Sequence, residues 1–300
     1  MAENRNAQQV REITDKLEQG LKELFESERF KEYLKTMSKF YNYSFNNTLL
    51  IAMQKPDATL IAGYTAWQRN FDRHVMKGEK GIKILAPAPY KVQEEREKLD
   101  PATQKPVLDK DGKPVTETVE VTRPAFKVVS VFDVSQTDGK ELPDIAVDEL
   151  TGSVENYAAF FDALKELSPV PIAFENITDG AKGYFSHVEN RIAIQEGMSE
   201  IQTIKTAIHE IAHAKLHAVT PGEKVAPEDK KDRRTKEVEA ESVAYTVCQR
   251  YGIETSDYSF GYIAGWSSDK ETKELKGSLE TIRKTAAEMI TGIDEKLKER

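Results

Sequence analysis

The residues most able to do chemistry in this 300-residue chain are His209-Glu210-Ile211-Ala212-His213. Histidines four apart stand one turn apart on one face of an α-helix. Two imidazoles so placed can take two corners of a tetrahedral Zn²⁺ site. Glu210 is turned too far round the helix to ligate beside them. It is placed to take a proton from a metal-bound water, the general-base role of hydrolytic zinc sites. By average residue usage such an H-E-x-x-H set arises by chance in about one chain in a hundred of this length. Its setting adds weight. Ser199 and Gln202 read as an S-x-x-Q capping box. Ile201, Ile204, Ile208 and Ile211 follow at helical spacing, and Thr220-Pro221-Gly222 stops the run.

A catalytic zinc site needs a third protein ligand and an open position for water. The next helical run begins Lys236-Glu237-Val238-Glu239-Ala240-Glu241 and turns Ala240, Val243, Ala244, Val247, Cys248 and Tyr251 to one apolar face, with Gly252 as its stop. Glu237 and Glu241 share a face while Glu239 points away. This places Glu237 on the metal and Glu241 behind it, orienting a ligand histidine through its free N–H. The reverse assignment of the two stays open. Tyr184, His187 and Tyr245 are candidates for stabilising an oxyanion.

Positioning these residues falls to a chain of ordinary globular composition, 31% charged and 39% hydrophobic. Its length suggests two domains. The single cysteine, Cys248, excludes an internal disulfide framework and fits a reducing cytoplasm as a buried thiol. No signal-like or membrane-spanning run is visible, so a soluble cytoplasmic protein is expected. Residues 1–145 hold 23 basic and 23 acidic side chains, and residues 146–300 hold 20 and 28, so the net charge of −8 lies in the second half.

Residues 8–40 read as helix with a break near Ser27. Phe40 to Ile51 then interleaves aromatics with amides and hydroxyls and runs into an apolar helix ending before Pro56. Between Arg69 and Lys91, six basic residues face only Asp72 and Glu79. Aromatic faces beside cations suit single-stranded nucleic acid, since bases stack and phosphates pair. An aromatic core beneath a solvated basic hairpin has the same composition. The candidate DNA contacts are Tyr43, Asn46, Tyr64, Trp67, Arg69, Lys77, Lys80 and Lys83. A charged, proline-punctuated insert over about 91–124, with a turn at Asp111-Gly112, reads as a protruding β-hairpin. Asp138-Gly139 and Leu142-Pro143 mark a linker. A helix capped by Ser153, strands near 169–174, 183–185 and 190–194, an exposed loop over 222–234 and a terminal helix from Leu275 to Leu297 complete the second half.

Two motif sets resemble known families. H-E-x-x-H followed by E-x-x-A-E is similar to small gluzincin metallopeptidases of the ImmA/IrrE group and to the C-terminal domain of ArdC-type antirestriction proteins. That resemblance implies His209, His213 and Glu237 as metal ligands and Glu210 as catalytic. Tyr43 to Pro56, Ala62 to Trp67, Lys77 to Gly81 and Val131 to Thr137 resemble in order the N-terminal domain of ArdC-type proteins. The resemblance implies that this domain binds single-stranded DNA and that the protein protects incoming mobile-element DNA from host restriction after conjugative transfer.

The expected fold is α+β with two domains. Residues 1–145 form a mixed helix/antiparallel-sheet domain that binds single-stranded DNA, and residues 146–300 a small H-E-x-x-H metallopeptidase-like domain loaded with Zn²⁺. One alternative is an ImmA-like regulatory metalloprotease that cleaves a repressor without touching DNA. Another is a non-enzymatic DNA-binding protein with structural zinc.

Overall fold

The computed structural model describes residues 2–142, 154–218 and 231–299, apart from residues 102, 179, 254, 256, 257, 259, 262 and 269. The Ser153 cap, the stop at 220–222 and most of the loop over 222–234 lie outside these described residues, as does Pro143 of the linker.

The amphipathic run at the amino end forms α1 (Ala2–Leu24) and α2 (Ser27–Lys39). Next comes α3 (Phe45–Gln54), started by Ser44, whose hydroxyl accepts the Asn47 N–H. Short pieces follow: β1 (Ile61–Gly63), α4 (Tyr64–Phe71), β2 (Arg73–Val75), β3 (Ile82–Pro87), β4 (Tyr90–Glu97), β5 (Thr116–Arg123), β6 (Phe126–Asp133) and β7 (Thr137–Gly139). The second half holds α5 (Val154–Leu167), β8 (Ile172–Glu175), β9 (Gly183–Ser186), β10 (Arg191–Gln195), α6 (Glu200–His217), α7 (Arg233–Arg250), α8 (Ile263–Ser267) and α9 (Thr272–Lys298). The fold is α+β, its sheets antiparallel except where β10 runs parallel to β8. No helix among the described residues is long and apolar enough to cross a membrane.

The segment 131–137 is not one continuous strand. β6 ends at Asp133, and a 3₁₀ turn over Val134–Gln136 precedes β7. Asp133 is buried, and its carboxylate accepts the N–H groups of Thr59, Leu60 and Ser135. Three donors on one carboxylate fix the bend and anchor the lead into β1. Over residues 90–123, β4 pairs with β5 from Tyr90↔Arg123 to Glu97↔Thr116. The tip closes where Asp109 accepts the Asp111 and Lys113 N–H groups and Gly112 takes a φ of 77°.

Contacts divide the chain into two compact units: Met1–Lys16 with Lys83–Ser130, and Leu17–Ile82 with Val131–Arg300. The first holds the β4–β5 hairpin and most of β3 and β6. In the second, α7 packs against α2, α6 and α9, α3 packs on α2 and α9, and α5 packs on α9. The apolar face read from sequence on α7 is buried at Ala240, Val243, Ala244, Val247, Cys248 and Tyr251. Neighbours on several sides also bury Glu239, Ser242 and Thr246. On α6, Ile204, Ile208 and Ile211 are buried, each contributing about 1.5–3 kcal/mol. Ile201 belongs to the same stripe but lies 49% exposed in the first turn of α6.

Candidate metal centre

Helices α6 and α7 carry the site. Ser199 starts α6 by accepting the Gln202 N–H, but the reciprocal half of the expected capping box does not form. The Gln202 side chain instead donates to Thr206 and accepts from Lys182. On α7 the cap is Asp232, which accepts the Thr235 N–H at 2.7 Å and is held by Lys270 at 3.0 Å. These caps fix where His209, His213 and Glu237 project.

The three residues meet. Nε2 of His209 and Nε2 of His213 lie 3.1 Å apart, and Oε2 of Glu237 lies 3.7 and 3.4 Å from them. Ligands at zinc bond lengths of about 2.0–2.1 Å stand about 3.3 Å apart at the corners of a tetrahedron. The observed spacings bracket that edge, and two imidazoles with one carboxylate are a donor set that suits a divalent cation. The cluster fits the group.

Around it lies a cleft of about 540 Å³ lined by β9, by His187, by α6 and by the start of α7. A second cavity of about 290 Å³ continues past His209 and Glu210 to Lys205 and Tyr258. Glu210 borders both and is largely buried. Its carboxylate accepts a backbone hydrogen bond from Phe185 of β9. Gly183 lets β9 come this close: a Cβ there would stand 2.6 Å from Thr206 Cγ2 and 2.9 Å from the Ala193 carbonyl oxygen. Among the described residues β9 is an edge strand, paired on one side with β10.

Electrostatics separate the roles. Burial raises the Glu210 carboxyl above its usual range, only partly offset by the two histidines. Glu237 is held well below that range by hydrogen bonds to His209 and His213. For His209, burial is the largest influence and acts downward, but the Glu237 bond and the charges of Glu210, Glu237 and Glu241 together raise it.

Glu241 therefore lies near His209, yet the buried carboxylate behind the histidines is Glu239. That residue, read from the sequence as pointing away, is fully buried and lies 3.0 Å from His217 Nε2. His217 Nδ1 in turn lies 3.0 Å from His213 Nδ1. The i+4 spacing of His213 and His217 was the available signal; Glu239 is enclosed by His217, Lys231 and Ser278, residues distant in sequence or outside its helix, and carries no local mark. Of the oxyanion candidates, His187 lines the cleft. Tyr184 lines it too, but its hydroxyl is bonded to Glu175 at 2.5 Å. Tyr245 is buried against Tyr258 and Phe260, its hydroxyl pushed up to about 12 by burial, and is no part of the cleft lining.

The candidate DNA contacts divide. Tyr64 is 58% exposed, and Asn46, Arg69, Lys77 and Lys80 are exposed. Lys83 is exposed and donates to Ser130 at 2.6 Å within the other unit. Tyr43 is half-buried, edge-on to Phe40, and its carbonyl accepts from Arg283. Trp67 corrects the sequence reading. It is fully buried, and its indole N–H donates to the Phe132 carbonyl at 2.8 Å, so neither ring face is open to a base.

A helix pair converging two histidines and a glutamate beside a short sheet edge defines a metallopeptidase-like domain. Residues 168–251 match the IrrE N-terminal-like domain of the M78 peptidases, and residues 4–132 match the N-terminal domain of anti-restriction factor ArdC. The chain thus carries, in order, a segment similar to the ArdC N-terminal domain and a segment similar to the IrrE-type peptidase-like domain. An uncharacterised protein of Bacillus anthracis is 29% identical over 97% of the chain. The DNA primase TraC of Escherichia coli is 34% identical over 46% of it. The chain spans about half the length of the first of these relatives, 52%, and 12% of the second. The solved antirestriction protein ArdC of plasmid R388, metal-free, superposes with a TM-score of 0.48 at 21% identity, covering 85% of this chain and 84% of that one.

Proposed function

We propose that the chain is an antirestriction protein of the ArdC type. In this reading it binds single-stranded DNA of an incoming mobile element in the cytoplasm and carries a zinc-dependent peptidase centre. The observation that carries the proposal is the meeting of His209, His213 and Glu237 in an open cleft beside Glu210, within a chain whose residues 4–132 match the ArdC N-terminal domain. The match to a protein named as a DNA primase also speaks for a DNA partner.

Bound Zn²⁺ supplies Lewis acidity and brings the pKa of water towards ~7. His209, His213 and Glu237 are the residues that would hold it. Glu210, raised by burial and aimed by the Phe185 N–H, takes the proton of the attacking water and returns it to the leaving amine. The edge of β9, unpaired among the described residues, can hold a peptide in extended form. Structural zinc sites are closed, whereas Glu237 is half exposed and faces the cleft, which favours the catalytic version over structural zinc.

The deciding experiment pairs two measurements. Anisotropy of labelled DNA at two salt concentrations should show salt-sensitive binding that prefers single strands. Tyr64→Ala should weaken it by about 1–3 kcal/mol, the loss of one stacked base. Absence of binding at low salt sinks the DNA half of the proposal. Glu210→Gln should abolish peptide hydrolysis while retaining zinc; full-rate hydrolysis by that variant removes Glu210 from the mechanism.

A further inference from the structure

We infer that Glu239, acting through His217, fixes the tautomer of His213 so that its Nε2 lone pair faces the metal cluster. The chain of contacts is continuous and buried. Glu239 accepts from Lys231 Nζ at 2.7 and 2.8 Å and from the Ser278 side chain. Its side chain has no exposure, and that of His217 has 2%. An ionised carboxylate only accepts hydrogen bonds. The contact at 3.0 Å therefore requires the proton of neutral His217 on Nε2.

That leaves a lone pair on His217 Nδ1, which lies 3.0 Å from His213 Nδ1. Two lone pairs cannot face each other at this distance, so His213 carries its proton on Nδ1. Its Nε2 then has the free lone pair. This is the atom 3.1 Å from His209 Nε2 and 3.4 Å from Glu237. The opposite tautomer would turn an N–H into the cluster. Glu239 and His217 are positioning residues, and Lys231 supplies the compensating charge for a carboxylate buried this deeply. A residue on the last turn of α6 and a buried one on α7 thereby decide how a cleft residue presents itself.

The inference rests on the metal reading above, but its first test needs no metal. Long-range ¹H–¹⁵N spectra of the full-length, chelator-treated protein with labelled histidines, recorded near pH 8, distinguish the tautomers. Protons on Nδ1 of His213 and Nε2 of His217 are expected; a proton on His213 Nε2 overturns the inference. The second test titrates Zn²⁺ against a chelating dye. Glu239→Gln, which can donate to His217 and reverse the relay, should lose about 10–100-fold in affinity with an unchanged circular-dichroism spectrum. Affinity within threefold of the parent overturns it. If Glu239→Gln does not fold, the wild-type spectra still decide. A wild-type chain with the expected tautomers that takes up no Zn²⁺ supports the tautomer assignment and overturns the metal reading instead.

Discussion

At the scale of single residues, the cleft separates two glutamates that look alike in sequence. Glu237 reaches both histidines, and its carboxyl is held low by them, so it is charged throughout the neutral range. Glu241 acts on His209 as a neighbouring charge. Glu237→Gln should therefore lower Zn²⁺ affinity by more than the roughly 10–100-fold typical of outer-shell partners, and Glu241→Gln by less. A competition titration of both variants checks this, and the reverse order exchanges their roles. The spacing of His209 and His213 was legible because helical periodicity alone brings them together. Glu239 and Trp67 were not. Sequence periodicity assumes one covered face per helix, whereas α7 is covered by α2, α6 and α9. An aromatic beside cations has the same pattern whether it stacks on bases or, as Trp67 does, fills a core and bonds a carbonyl.

At the scale of elements, two local features hold the site open and aligned. Asp232 caps α7 five residues before Glu237, with Lys270 beside it. Asp232→Ala should cost about 1 kcal/mol in stability. Burial pushes the Asp232 carboxyl up, but the Thr235 N–H and Lys270 outweigh it, so its pKa is lowered on folding. The cap's charge-dependent contribution is thus full above the unfolded value of about 3.9 and lost as pH falls through the lower folded value. Thermal melts of parent and variant should differ at pH 7 and converge in strong acid; a gap that widens there contradicts the cap. On the other wall, Gly183 lets β9 approach α6. Gly183→Ala must move Thr206 or the strand, at about 1–3 kcal/mol. Because Phe185 of the same strand aims Glu210, peptide hydrolysis should fall further than zinc affinity.

At the scale of the whole molecule, the two matched segments do not coincide with the compact units. Residues 4–132 match one family and 168–251 another, yet Leu17–Ile82 groups with Val131–Arg300. The side chains that do this are particular. Phe25 meets Trp266 edge-on at 5.8 Å, and Phe30 meets Phe260 at 5.2 Å. Arg250 lies over the Tyr41 ring, and Arg283 donates to the Tyr43 carbonyl. The aromatic–amide stretch from Phe40 that pointed to nucleic acid in the sequence is thus partly spent on packing α2 and α3 against α7 and α9. A boundary near residue 145 is a claim about independent folding, and these contacts make it testable. A fragment of residues 146–300 would bare the surface that α2 covers on α7, on α8 and on the segment between them, including the buried aromatics Tyr245, Phe260 and Trp266. Such a fragment should aggregate or melt without cooperativity, because an exposed apolar patch of this kind is not tolerated on a monomer. Residues 17–300 should retain a single transition raised by Zn²⁺, since a ligand bound only by the folded state stabilises it by about 2.7 kcal/mol at a hundred times its Kd. If 146–300 folds cooperatively and takes up zinc as tightly as the full chain, the peptidase-like half is self-sufficient. The contacts of α2 and α3 would then link two domains rather than build one core.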